Sequence, residues 1–199
     1  MSFPANELFA ILVAVSFAAG LNTYATVATL GLLGHTKWVV LPPSLHGLTN
    51  WWIIAAAAVL YGIEFFADKI PGFDLVWNAL HTFIRVPVAA LLAFQATNTL
   101  SPGEQLAATL LGGLVAFVAH GGKTAVRAAV TPSPEPLSNI ALSMGEDVLA
   151  VSLTWLSTWK PYIAAAIAFV FLLVLLLLIR WVLRAIGSLF RRRKHASAT

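Results

Sequence analysis

Apolar residues run along this chain in long blocks, separated by short stretches rich in Pro, Gly, Ser and Thr. Within the blocks the few polar residues recur every three to four positions, the period of a helix, and each block approaches the roughly 20 residues that carry a helix across a bilayer. Six helical segments are predicted, at roughly 7–33, 51–68, 73–98, 103–130, 136–158 and 161–188. The second opens with Trp51 and Trp52, and Pro87 is expected to kink the third. The last contains "AAAIAFVFLLVLLLLI", with no polar residue, and is expected to face lipid or to serve packing alone. The expected fold class is an all-α membrane protein of about six transmembrane helices, some kinked or re-entrant. It forms a single integral membrane domain over 1–188 with a basic cytoplasmic tail over 189–199.

One polar pattern occurs twice. Pro71, Asp74, Asn78, Thr82 and Arg85 match Pro132, Glu135, Asn139, Ser143 and Glu146 at a constant offset of 61 residues. Each copy opens a helix with proline in its first turn, where a fixed φ and a missing N–H do no harm. Repeat units at about 51–98 and 112–158 are therefore expected, and transporter folds often place their site where such repeats meet. If every segment spans, the copies point the same way; if the polar helices turn back, they are inverted.

Composition agrees with the pattern. The 199 residues are 59% hydrophobic and 10% charged, against about 25% charged in soluble domains, and the mean hydropathy is +0.86. There is no cysteine, so neither a disulfide framework nor a thiolate metal site forms. "MSFPANELFA" lacks the basic region of a cleavable signal, so the first segment is expected to stay as an anchor. Arg180, Arg184 and the basic run from Arg191 to Lys194 place the C-terminus inside a bacterial inner membrane, where the tail meets anionic headgroups rather than nucleic acid. Counting back over six spans puts the N-terminus inside as well, with Trp155, Trp159 and Tyr162 at the outer interface.

The chemistry lies in polar residues within apolar helices. A charge near the bilayer centre costs roughly 2.5–3.5 kcal/mol, so such residues face the bundle interior or water. Asp74, Asn78, His81, Thr82 and Arg85 form one stripe, and Glu135, Asn139, Ser143, Glu146 and Asp147 form another. Together they are expected to line a hydrated cleft, or to pair across the helices with Arg85 opposite Glu146. Glu64 and Asp68 are four apart on one face, and Asn22 interrupts the first segment beside Gly20, which eases unwinding. In a cation site Glu64, Asp68, Asp74, Glu135, Glu146 and Asp147 supply oxygen ligands or titrating groups, completed by Asn22, Asn78 and Asn139. In an anion site His120, Lys123 and Arg127, spaced by three and four, hold a phosphate together with Arg85. "GGKT" does not have the spacing of a P-loop, the five histidines have no zinc-enzyme spacing, and no Ser sits in a nucleophile elbow. No cofactor is expected, and no metal is assigned.

Several stretches look familiar. "GLNTYATVATLGLLG", "EFFADKIPGFDLVWNALHTFIRVPVAALLA", "HGGKTAVRAAVTPSPEPLSN" and "SMGED" resemble a bacterial membrane family known as domain of unknown function 4126. The resemblance implies a multi-pass bacterial membrane protein and supplies no activity. "EFFADKI" is also similar to the E-x-G-D-K-[ST] signature of repeat-built manganese/calcium–proton exchangers, which implies cation transport. It departs by one inserted residue, by Ala for Gly and by Ile for Ser or Thr. The second copy has "HGGKTA" where the acidic motif would recur. The expected function is a transporter or channel for a small ion or polar solute, with cation or proton coupling favoured. The alternatives are a membrane-embedded enzyme or binding protein acting on a phosphate-bearing lipid, and a non-catalytic scaffold. Expected partners are the bilayer and the transported solute, and a homo-oligomer stays open.

Overall fold

A computed structural model describes the backbone of residues 5–70, 73–130 and 136–196, and their side chains apart from those of 5–6, 74–75, 128–130, 136, 139 and 185–196. The elements are α1 (Ala5–Leu21), α2 (Thr23–His35), a 3-10 segment (Pro43–Thr49), α3 (Trp51–Ala67), α4 (Phe73–Ala96), α5 (Pro102–Val130), α6 (Pro136–Trp159) and α7 (Pro161–Ala196). Among the described residues there is no strand. Proline opens α5, α6 and α7, at the position where its missing donor has no partner to lose. Asn50 caps α3 by accepting the Trp52 N–H at 2.9 Å. Ser101 and Glu104 form a capping box, Glu104 accepting from the Ser101 N–H at 3.0 Å and from its hydroxyl at 2.7 Å. α7 carries the helix on through the basic run to Ala196.

Five of the six predicted segments stand as single helices. The first does not, because it breaks at Asn22, and α2 then turns back along α1. Leu30 of α2 packs in one cluster with Ile11 and Val15 of α1. A straight helix would place Leu30 about 22 Å beyond Val15. α1 and α2 are thus a helical hairpin rather than one crossing. Among the described residues four helices are long and apolar enough to cross a membrane, five if the 3-10 segment and α3, bent by 64°, count as one.

The direction of α1 follows from its neighbours. Gly20 lies against Ala116 and Ala119, Ser16 against Gly112, and Leu12 clusters with Ala108, so α1 runs parallel to α5. Residue 5 therefore lies at the end of the bundle where α4 joins α5, and α7 ends at the other. The expectation that both termini share one side rested on a first segment that crosses; the hairpin removes that crossing.

α1 sits at the centre, packed by α4, α5, α6 and α7. Small residues allow the approach: Ala19, Ala89 and Ala116 form one buried cluster where α1, α4 and α5 meet. The distribution of polarity is the reverse of a soluble protein's. Phe83 is 81% exposed and Leu177 66%, while Arg85, Arg127 and Lys123 are among the largest fully buried side chains. Water would penalise that surface and lipid would not. The chain is an all-helical membrane protein.

Candidate functional site

The break at Asn22 frees backbone groups that a continuous helix would satisfy. Asn22 is extended, at φ −148° and ψ 102°. Its side-chain oxygen accepts the Ala25 N–H at 2.9 Å, capping α2. On the other side of the break the last carbonyls of α1 need donors. Thr23 Oγ1 donates to the Ala19 carbonyl at 2.7 Å. The Leu21 carbonyl accepts from Arg85 Nη1 at 2.9 Å and from Lys123 Nζ at 3.1 Å. A helix ends in negative partial charge, and two cations cover this one.

Those cations belong to a buried network. Arg85 pairs with Glu64. Lys123 reaches Asp68 at 2.8 Å, Glu146 at 3.2 Å and Glu64 at 3.8 Å. Arg127 reaches Glu146 at 2.5 Å and Asp68 at 3.2 Å, and donates to the Asp68 carbonyl at 2.9 Å. Asn78 donates to Asp68 at 3.4 Å. Arg85 also donates to His120 Nδ1 at 3.0 Å. Arginine has no acceptor, so that nitrogen carries no proton and the ring is the neutral Nε2–H tautomer. His120 Nε2 then faces the Asn78 carbonyl at 2.9 Å and Thr82 Oγ1 at 2.8 Å. Asp68 lies one residue past the apolar run of α3. Burial raises its pKa, but Lys123 and Arg127 outweigh this and hold it below the usual carboxylate range.

Asp147 stands apart from this pairing. It is 4% exposed, its Oδ1 accepts from Asn22 Nδ2 at 2.9 Å, and its Oδ2 has no hydrogen-bond partner. Among the described side chains the network holds three cations, Arg85, Lys123 and Arg127, against four carboxyl groups, Glu64, Asp68, Glu146 and Asp147. The first three acids are matched by ion pairs, whereas Asp147 is matched only by a neutral amide. It lines a groove of about 370 Å³ between α3 and α6, with Tyr61, Phe65, Met144, Val151 and Ser152. Its chain neighbour Glu146 faces another space, an apolar cavity of about 600 Å³ among α1, α5, α6 and α7.

The fold thus gathers Asn22, Glu64, Asp68, Asn78, Thr82, Arg85, His120, Lys123, Arg127, Glu146 and Asp147 into one cluster. Arg85 pairs with Glu64 rather than with Glu146, because Glu146 lies beside Lys123 and Arg127 on α5. His81 is placed to one side, accepting from the Tyr24 hydroxyl at 3.3 Å, with its ring tilted against that of Trp77 at 4.4 Å between centroids. Ser143 is buried, with no partner for its hydroxyl. The side chains of Asp74, Glu135 and Asn139 lie outside the described residues. The groove aromatics escape the sequence reading, although Tyr61 and Phe65 are four apart, like Glu64 and Asp68, on the adjoining stripe of the same helix.

Among the described residues no three His, Asp or Glu side chains converge as a metal site. Glu64, Asp68 and Glu146 each turn an oxygen to the protein's own cations, while Glu64 Oε2 is buried without a hydrogen-bond partner. Arg85, Lys123 and Arg127 are in turn occupied by those carboxylates and by backbone carbonyls. No curated protein and no solved structure matches the chain. Residues 9–181 match the family described as "Domain of unknown function (DUF4126)", and the chain belongs to that family.

Proposed function

We propose that this protein is a membrane transporter for a small cation or polar solute, with Asp147 as the group that exchanges a proton or cation during transport. One observation carries the reading: a helix broken within the bundle at Asn22 is joined through that residue to Asp147, the one carboxyl group among the described side chains of the buried network that lacks a cationic partner. Broken helices that present backbone and side-chain groups to a buried site recur in transporters, where irregular backbone is tolerated because it is shielded from lipid. A buried carboxyl with a neutral neighbour gains or loses charge without dismantling the ion pairs around it. The basic residues of α7 favour a bacterial inner membrane with that end in the cytoplasm.

The test is flux in liposomes containing the purified protein and a trapped pH dye. An imposed gradient of a monovalent cation should drive proton movement above that of empty vesicles, and Asp147→Asn should remove it at unchanged protein content. Flux that survives Asp147→Asn would reject the assignment of the site, and no flux with any cation would reject transport.

One observation favours a second reading, lipid handling. The 600 Å³ cavity is lined by apolar side chains apart from Lys123, Glu146 and Ser152, a lining suited to an acyl chain with a polar group. A stoichiometric lipid retained through purification, and lost with Gly145→Leu at the cavity wall, would support it.

A further inference from the structure

The groove beside Asp147 is too large for a bare ion and is built from the wrong atoms for one. It measures about 370 Å³ and is walled by Tyr61 and Phe65 on α3 and by Met144, Val151 and Ser152 on α6. The two rings meet edge to face at 6.2 Å. An inorganic cation asks for several converging oxygens, whereas this groove offers aromatic faces, a thioether and one carboxylate. Those are the elements that recognise a cation carried on carbon: ring faces for alkyl groups bearing spread positive charge, and a single counter-ion.

Two observations, independent of one another, point to that occupant. Asp147 is nine-tenths buried, lines the groove and leaves Oδ2 without a hydrogen-bond partner. The Phe65 ring already takes an ammonium group, since Lys69 Nζ lies 3.0 Å from its centroid and donates to the Phe65 carbonyl at 2.8 Å. Other charged groups near the groove belong to the paired set: Glu64 on α3, Asp68 just past its end and Lys123 on α5, each held in the ion pairs described above. Lys69 is thus an ammonium of the protein itself held over the Phe65 ring.

We infer that the groove between α3 and α6 binds an organic ammonium ion, its charge on Asp147 and its alkyl groups against Tyr61 and Phe65. This rests on the transport reading for its purpose but not for its geometry, since binding is measured without flux.

The probe is tetramethylammonium chloride, titrated into the detergent-purified full chain at constant ionic strength with potassium chloride as the control. Thermal stability and intrinsic tryptophan fluorescence are the readouts. A saturable response to tetramethylammonium that potassium does not reproduce is expected, weakened roughly tenfold or more by Asp147→Asn. Tyr61→Leu, outside the ion pairs, should weaken it severalfold at unchanged stability, and this covers the case in which Asp147→Asn fails to fold. A response matched by potassium, or unchanged in both variants, overturns the inference. Proton flux that depends on Asp147 without tetramethylammonium binding would leave the transport reading standing and sink this one. Binding without flux in vesicles would do the reverse.

Discussion

Asn22 and Asp147, 125 positions apart, are joined by one hydrogen bond of 2.9 Å, and the same Asn22 side chain caps α2 through Ala25. A single amide therefore holds both the turn of the α1–α2 hairpin and the carboxyl group lacking an ionic partner. Asn22→Ala removes both bonds. The cap is worth about 1 kcal/mol, and leaving a buried carboxyl without its donor costs about 1–3 kcal/mol more. Asn22→Ser keeps a cap acceptor but is too short to serve Asp147. Thermal unfolding in detergent should rank wild type above Asn22→Ser above Asn22→Ala. Equal losses in the two variants would show that capping contributes nothing at the break.

Arg85 and Glu64 form a fully buried pair. Breaking one side of such a pair costs about 3–5 kcal/mol, because a charge is stranded, whereas replacing both by apolar groups is often close to neutral. Arg85→Met should unfold the protein at markedly lower temperature, and Arg85→Met with Glu64→Met should recover much of the loss. Additive losses in that double-mutant cycle would mean the two residues are not coupled. The Leu21 carbonyl, which Arg85 also serves, keeps Lys123 as a donor in either variant.

Gly20 touches α5 so closely that an added Cβ would lie 2.6 Å from the Ala116 carbonyl and 2.8 Å from the Ala119 Cβ. Neither neighbour is a flexible side chain, so the helices must part. Gly20→Ala is expected to cost about 1–3 kcal/mol by overpacking. Gly62→Ala, with nothing near its added Cβ, should be neutral or slightly stabilising, since alanine favours a helix by roughly 0.5–1 kcal/mol. Melting temperatures of the two variants side by side decide the point.

The absence of cysteine allows accessibility to be mapped by single substitutions. Cysteines at Asn78 and Ser143, both buried, should stay silent to small water-borne thiol reagents in intact membranes. A cysteine at Ser152, on the groove, should react, and one at lipid-facing Leu80 should not. Labelling at Asn78 would mean that water enters the ion pairs, contrary to the packing described above.

The long helices were legible because hydropathy and proline placement mark them directly: α3 to α7 begin within a residue or so of where the polar stretches end. The basic stripe of His120, Lys123 and Arg127 was equally legible, since a spacing of three and four leaves no other helical face. The hairpin was not. Asn22, Thr23 and Thr26 in an apolar run suit a packed continuous helix as well as a broken one. What decides between them is Asp147 and Lys123, far along the chain, which supply partners for the groups a break exposes. The pairing of Arg85 with Glu64 was hidden for the same reason, because helical spacing fixes which face a residue occupies but not which neighbour it meets.

The network also has an order in time. Glu64 on α3 and Asp68 at its end are synthesised first, then Arg85 on α4, then Lys123 and Arg127 on α5, and Glu146 and Asp147 last, on α6. The two basic helices lie between the two acidic ones along the chain, so each leaves the ribosome carrying charges that only a later helix, or one already waiting, can neutralise. Until α6 arrives, Arg127 lacks Glu146 and Asn22 lacks Asp147. The hairpin that opens the chain is therefore completed by one of its final spans, and a nascent protein truncated before α6 should be retained by the insertion machinery or degraded rather than released into the bilayer.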